Sequence, residues 1–259
     1  MILDEIIAKR RLQLEREKAA LSLEHIKAQA LGRTEPIRDF AAALRGERLS
    51  VIAEVKKASP SKGLICADFH PMEIAKAYEA NGANALSVLT EEHYFQGSSD
   101  YLRAIRTEVN LPILRKDFII DPYQIYEARA MGADAILLIA ALLDTKTLRE
   151  FAGIAHGLGL HCLTEVHNEE ELTSALTAQS DLIGINNRNL KTFTVDLAVT
   201  QRLAQMVPEE LTLVSESGIR SNADMKAVRR YGADAVLIGE TLMRSGDIAA
   251  SFTELRADV

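Results

Sequence analysis

The chain has 259 residues, 47% hydrophobic and 26% charged, an ordinary globular composition whose length suits one or two domains, a single α/β barrel of about 250 residues included. Its net charge of −7 argues against nucleic acid as the main partner, because phosphate backbones select basic surfaces, so an anionic ligand would have to meet local positive charge. The longest apolar run, Ala135–Leu143, is far short of the about 20 residues of a membrane span, Asp4 and Glu5 stand where a signal peptide needs its apolar core, and Cys66 and Cys162 sit in no disulfide or zinc spacing, which predicts reduced thiols in a cytoplasmic protein.

Residues 1–46 read as helical, with Ile2, Leu3, Ile6 and Ile7 on one buried stripe and Leu12, Leu14, Leu21, Leu23 and Ile26 beyond it. They predict an N-terminal helical extension packed on, or over one end of, a domain of residues 47–259. The first strand is "VIAEVK" (51–56). Val51, Ala53 and Val55 face one way at period two, and Glu54 and Lys56 face the other. Further strands are "LPILRK" (111–116), "LHCLTEV" (160–166) and "LTLVSES" (211–217), with others starting near 84, 134, 180 and 234. Between them lie helices such as "HPMEIAKAYEANG", "DPYQIYEARAMG" and "SNADMKAVRRYG". Asp121 and Ser221 read as N-caps and Pro71 and Pro122 as first-turn prolines.

Three segments share a cadence of helix end, glycine, Asp or Asn, and apolar strand: "ANGANALSVL", "AMGADAILLI" and "RYGADAVLIG". Gly82 and Gly132 are 50 residues apart and Gly132 and Gly232 are 100 apart, with a weaker copy, "AQSDLIGI", near the missing midpoint. A period of 50 suits two strand–helix units. Eight alternating units predict an α/β fold, a closed (β/α)8 TIM barrel. An open doubly wound sheet would want a glycine-rich dinucleotide turn after its first strand, and none is there.

In such a barrel the C-terminal ends of the strands open onto one mouth, where chemistry sits. Strand one ends with Glu54 and Lys56, strand three with Lys116, strand five with Glu165, strand six with Asn186 and strand seven with Glu216. A ring of salt bridges closing the barrel is the plain alternative, but desolvation makes buried ion pairs poor stabilisers. The pattern instead suits general acid–base chemistry, in which confinement can lower a lysine pKa and raise a glutamate pKa. His161 and His167 flank strand five without a third histidine and read as satisfied or solvated side chains. Neither a metal nor a cofactor is expected, and no G-x-S-x-G nucleophile motif is present. Gly218 and Gly239, in "SGI" and "GETL" after strands seven and eight, would let backbone N–H groups approach a phosphate dianion. A phosphorylated small molecule is therefore the expected substrate.

The runs "IAEVKKASPSKG", "LTEEHYFQGS", "LRKDFIIDPYQI", "LTEVH", "IGINNRNL", "SESGI" and "LIGETLM" resemble, in order, the motifs of the indole-3-glycerol phosphate synthase family, from about residue 36 onward. The resemblance implies a carboxy-lyase of tryptophan biosynthesis. Its substrate would be 1-(2-carboxyphenylamino)-1-deoxyribulose 5-phosphate, and its products indole-3-glycerol phosphate, carbon dioxide and water. It also implies a catalytic set of Glu54, Lys56, Lys116, Glu165, Asn186, Glu216 and Ser217. Lys116 would be the acid for ring closure beside Glu165, Lys56 and Glu54 would serve dehydration, and Asn186 and Glu216 would orient sugar hydroxyls and lysines. Phosphate would meet Ser59, Gly218, Gly239 and Lys56, and Arg188 would pair with the anthranilate carboxylate. Pro60, Phe95, Phe118 and Leu137 would form a slot for the benzene ring.

Two departures stand out. Glu240 replaces a serine of many relatives, so its carboxylate is expected to point away from phosphate. No tryptophan is present, although some relatives place one from the N-terminal segment on the substrate ring. A phosphosugar isomerase on the same barrel, or a non-catalytic barrel serving as a binding subunit, are the rival readings. The chain is expected to be a monomer whose N-terminal helices could dock a weak partner.

Overall fold

The computed structural model describes residues 2–259, so Met1 of the expected extension lies outside them. Eight strands form the barrel: β1 (Ser50–Val55), β2 (Ala85–Leu89), β3 (Ile113–Lys116), β4 (Ala135–Ile139), β5 (His161–Val166), β6 (Leu182–Asn186), β7 (Thr212–Glu216) and β8 (Ala235–Ile238). Each pairs in parallel with its neighbours in the chain, and β8 pairs with β1 to close the ring. Three helices precede β1: α1 (Ile2–Ala20), α2 (Leu23–Gly32) and α3 (Phe40–Leu44). The crossovers carry α4 (Pro71–Ala80), α5 (Ser99–Glu108), α6 (Pro122–Met131), α7 (Thr145–Gly157), α8 (Glu169–Thr177), α9 (Ala198–Leu203) and α10 (Asn222–Arg230). Two more, α11 (Glu240–Arg244) and α12 (Ile248–Leu255), follow β8. Among the described residues no helix is long and apolar enough to cross a membrane.

Alternation along each strand sorts side chains between two cores. Val51, Ala53 and Val55 face outward, in one cluster with Tyr78 of α4 and Leu102 and Ile105 of α5. Ile52 faces inward with Leu114, Leu137, Leu163 and Val214. Both faces are buried, as parallel strands under helices require, and each such side chain contributes about 1.5–3 kcal/mol.

The glycine cadence marks the entry to the strands. Gly82, Gly132 and Gly232 take φ of 88°, 95° and 100°, where a Cβ is disfavoured. In the weaker copy the same turn falls on Gln179, at φ 63°. The Asp or Asn two residues later accepts a backbone N–H near the start of the neighbouring strand. Asn84 takes that of Val51, Asp134 that of Ile113 and Asp234 that of Leu213. Helix starts are equally local. Asp121 accepts from the Tyr123 N–H with Pro122 in the first turn, and Ser221 forms a capping box with Asp224.

The N-terminal helices run the height of the barrel. Residues of α1 reach the C-terminal mouth, α2 lies along α6 with Ile26 against Tyr123, and α3 seals the opposite end with Phe40 and Leu44 in the inner core. A buried ion network pins α1. Arg10 donates to both Asp117 oxygens, and Arg115 donates to Asp117 and Glu127.

Candidate active site

A cavity of about 370 Å³ opens at the C-terminal mouth. The seven expected catalytic positions line it: Glu54, Lys56, Lys116, Glu165, Asn186, Glu216 and Ser217. So do the eight expected binding positions: Ser59, Pro60, Phe95, Phe118, Leu137, Arg188, Gly218 and Gly239. They come from the ends of β1, β3, β5, β6 and β7, from the middle of β4 at Leu137, and from the loops that follow β1, β2, β3, β6, β7 and β8.

Lys116 is the hub. Its Nζ donates to Glu165 Oε2 at 3.0 Å and to Glu216 Oε2 at 2.7 Å. Lys56 pairs with Glu54 at the end of β1. All three carboxylates are buried. Burial works against the Lys116 ammonium, but Glu165, Glu216 and Glu54 outweigh it and hold the lysine above its usual range. Glu165 is held down at about 2: burial would raise it, and Lys116, His167 and a hydrogen bond from Asn186 prevail. Glu216 goes the other way, to about 7, because burial and the charges of Glu165 and Glu54 exceed the pull of Lys116. The pocket thus holds a firmly charged ammonium between an ionised carboxylate and one that exchanges its proton near neutrality, which is acid–base equipment.

Two glycines make room for this cluster. A Cβ on Gly184 of β6 would overlap the Glu216 carboxylate, and one on Gly239 would overlap Glu54 and approach Lys56 Nζ to 2.8 Å. Gly184→Ala is therefore expected to displace Glu216 from Lys116 and lower turnover by about 100-fold. Steady-state kinetics beside an unchanged far-UV circular dichroism spectrum would check it. At the end of β7, Ser217 and Gly218 take φ of 64° and 91° in succession. For Ser217 that is uncommon backbone, of the kind that gathers at functional sites.

The apolar end of the cavity contains Pro60, Leu137, Phe95 and Phe118, the two rings tilted with centroids 6.1 Å apart. Glu91 holds Phe95 in place by accepting the backbone N–H groups of His93, Tyr94 and Phe95. Ile2, Leu3 and Ile6 of α1 also line the cavity. Their stripe was legible in the sequence, but not that it faces the mouth. Glu240 does border the cavity, and its carboxylate is met by Lys62 at 3.5 Å and by Arg244 at 3.2 Å. Its charge is thus balanced by two cations rather than removed from the site. Arg220 and Arg244 also line the cavity and were not singled out from the sequence.

The histidines divide. His167 lies beside Glu165 and Glu171. His161 is at the opposite end of the barrel, near Asp39 and Asp181. There His156, Cys162 and Asp181 bring ligand atoms within 4.8 Å of one another, but Asp181 is the cadence residue of β6 and accepts the Cys162 N–H of β5, which accounts for its place.

A closed (β/α)8 barrel with a buried lysine–carboxylate cluster at its mouth is the scaffold of an acid–base enzyme. A family model described as indole-3-glycerol phosphate synthase matches residues 3–255. A relative of that name from Ruminiclostridium cellulolyticum is 54% identical over 258 residues, covering 99% of each chain. Another, from Dehalococcoides mccartyi, is 51% identical over 98% of this chain and its full length. The chain belongs to the indole-3-glycerol phosphate synthase family, decarboxylating lyases of tryptophan biosynthesis. Among solved structures, a 3-hexulose-6-phosphate synthase from Salmonella typhimurium superposes with a TM-score of 0.66 at 12% identity, covering 80% of this chain and 97% of its own. An N-acetylmannosamine-6-phosphate 2-epimerase from Clostridium perfringens gives 0.62 at 16%, covering 86% and 98%. At those identities the likeness is one of fold.

Proposed function

We propose that this mouth converts 1-(2-carboxyphenylamino)-1-deoxyribulose 5-phosphate into indole-3-glycerol phosphate, with Lys116 as the acid of ring closure. The observation that carries the assignment is the Lys116 ammonium shared between Glu165 and Glu216 in one buried pocket. When the aromatic carbon bearing the carboxylate attacks the ketone, negative charge develops on the ketone oxygen. An ammonium already desolvated and held in place stabilises that charge and transfers its proton. Carbon dioxide then departs, leaving its bonding electrons to restore the aromatic ring. Dehydration needs a proton for the departing hydroxyl and a base for a hydrogen on the carbon next to nitrogen. Lys56 and Glu54, paired at the end of β1 in the same cavity, are assigned to these steps.

The substrate's two ends find different surroundings. Ser59, Gly218 and Gly239 are assigned to phosphate, with Ser61, Lys56 and Arg220 near. The fork of Arg188 is assigned to the carboxylate. A tight grip there would stabilise the ground state of a group that must leave, so this contact should orient rather than clamp. The benzene ring is assigned to the slot of Phe95, Phe118, Pro60 and Leu137 beneath Ile2, Leu3 and Ile6, which makes the extension of residues 1–46 part of the site. The seven catalytic positions are complete within one chain, so the proposed chemistry needs no second copy and the monomer is the proposed working unit. Free Cys66 and Cys162 favour a reducing compartment, the cytoplasm.

The test is incubation of the purified chain with the carboxyphenylamino substrate. Indole fluorescence should grow with one carbon dioxide released per indole formed, and an unchanged spectrum would sink the assignment.

A further inference from the structure

Balancing the proposed reaction exposes a need that the catalytic set does not meet. The ketone oxygen leaves as water and so takes up two protons. One hydrogen is lost from the carbon beside nitrogen, and the carboxylate departs as neutral carbon dioxide. Each turnover therefore consumes one proton from solvent. With substrate in the mouth and Ile2, Leu3 and Ile6 over it, Lys116 has little direct access: its side chain is 14% exposed and that of Glu165 is 5%.

A second cavity, of about 640 Å³, lies beside the first and shares Leu3, Asn186, Arg188 and Leu190 with it. His167 lines the second cavity and not the first. Its Nε2 is 3.4 Å from Glu165 Oε1, the carboxylate oxygen that Lys116 does not use. Its Nδ1 is 2.9 Å from Glu171 Oε2, and its backbone N–H donates to the same oxygen at 2.8 Å. Asn168 Nδ2 fixes the other Glu171 oxygen at 2.7 Å. Glu171 thereby holds the ring by Nδ1 and aims Nε2, a buried nitrogen with no hydrogen-bond partner among the described residues, at Glu165.

From this chain of groups we infer that His167 is a proton-delivery residue, carrying a proton from the second cavity through Glu165 to Lys116. The inference rests on the proposed ring closure. Once Lys116 has given its proton to the ketone oxygen, the imidazolium passes its Nε2 proton to the ionised Glu165 at Oε1. The carboxyl group so formed turns and hands that same proton to the neutral Lys116 Nζ, becoming a carboxylate again. The neutral ring, still protonated on Nδ1, swings Nε2 toward the second cavity that it lines and takes a proton back from solvent there. One proton moves from solvent to Lys116, and no other bond changes.

The surroundings suit the charged ring. Burial would lower its proton affinity, but the Glu171 hydrogen bond and the charges of Glu165, Glu171 and Glu216 hold it above the usual histidine range. The groups facing it are Glu165 from β5, Glu171 from α8 and Glu216 from β7, with Lys116 behind Glu165. Across the second cavity stand Arg188, Lys191, Asp196 and Arg202.

Two measurements test the relay, one of them independent of turnover. In the ligand-free protein, NMR titration should show the His167 ring, identified by its loss in His167→Gln, titrating above free histidine and dropping in Glu171→Gln. A ring that titrates at or below free histidine overturns the relay, whatever the activity assay gives. In turnover, His167→Gln should lower kcat by about 10- to 100-fold with KM within about twofold. It should also remove the fall in rate that follows deprotonation of the ring as pH rises. Added imidazole, small enough for the second cavity, should restore rate to His167→Gly. A loss of rate with an unchanged pH profile and no rescue marks a merely structural histidine and overturns the inference, as does full activity in both variants. A wild-type protein that forms no indole would instead remove the functional reading, leaving the titration to decide the state of the ring.

Discussion

Lys116→Ala is expected to lower kcat/KM by about 10³- to 10⁴-fold while the barrel stays folded, the range for loss of a general acid that also stabilises developing charge. The side chain ends β3 and its apolar neighbours Ile113 and Leu114 are untouched, so the strand keeps its register with β2 and β4. What changes is the pocket. Glu165 and Glu216 lose the ammonium that separates them, and two desolvated carboxylates then face each other. Like charges in one dry site cannot both ionise, so Glu165 should leave its depressed value and share a proton with Glu216. The sign of the stability effect follows from linkage. In the wild type the raised lysine contributes stability below the ordinary lysine pKa and loses it only as pH rises through the folded value. The depressed Glu165 contributes above the ordinary glutamate pKa, and loses it as pH falls toward about 2. Without Lys116 the carboxylates are penalised when ionised, so the variant should melt further below wild type at pH 8 than at pH 5. Single-turnover kinetics and thermal melts at the two pH values check both halves. Wild-type turnover by a folded variant would end the assignment of Lys116 as the acid.

Much of this pocket could be read from one sequence because the barrel does the bringing together. Once eight strands are counted, inward-facing polar residues at the strands' C-terminal ends are delivered to one place, and Glu54, Lys56, Lys116, Glu165, Asn186 and Glu216 needed no knowledge of tertiary contacts. Ser217 came only through the family resemblance, since nothing in its immediate neighbours announces a left-handed serine. Other features depend on distances that no local pattern encodes. Gly184 looks like any strand glycine until the Glu216 carboxylate occupies the space its Cβ would take. The cadence showed Asn84, Asp134 and Asp234 but not that each accepts an N–H from the neighbouring strand. His167 read as a satisfied histidine; strand period places it on the face of Glu165 two residues earlier, but no local pattern shows that Glu171 holds its ring by Nδ1. The ion network under α1 was least accessible, for Arg10 and Asp117 are 107 positions apart. A faint signal was present: Arg115 occupies an outward, helix-facing position of β3, the face it shares with the apolar Ile113, where a charge demands a buried partner.

Asp117→Ala should destabilise the fold by about 3–5 kcal/mol, the cost of removing one member of a buried ion network and leaving its partners uncompensated. Asp117 accepts from Arg10 at 3.1 and 3.3 Å, from Arg115 at 2.9 Å, from Thr90 Oγ1 at 2.8 Å and from the Phe118 N–H at 2.8 Å. Arg10 and Arg115 are both fully buried, so neither guanidinium can turn to water. Each keeps one carboxylate, Glu17 for Arg10 and Glu127 for Arg115, which limits the loss to a partial unpairing. The same contacts tie α1 to the end of β3, so freeing Arg10 should also loosen Ile2, Leu3 and Ile6 over the cavity and raise KM. Burial opposes the Asp117 charge, but Arg10, Arg115 and Thr90 prevail and hold its pKa below the ordinary carboxylate range. A depressed aspartate contributes stability above its unfolded pKa and loses it as pH falls through the folded value. The gap between wild type and Asp117→Asn, which keeps the shape without the charge, should therefore be full at pH 7 and narrow below about pH 4. Urea unfolding of the three proteins at pH 7 and pH 3 measures it. A pH 7 loss within about 0.5 kcal/mol, as for an ordinary surface substitution, would mean that α1 is held by its apolar contacts and not by Asp117.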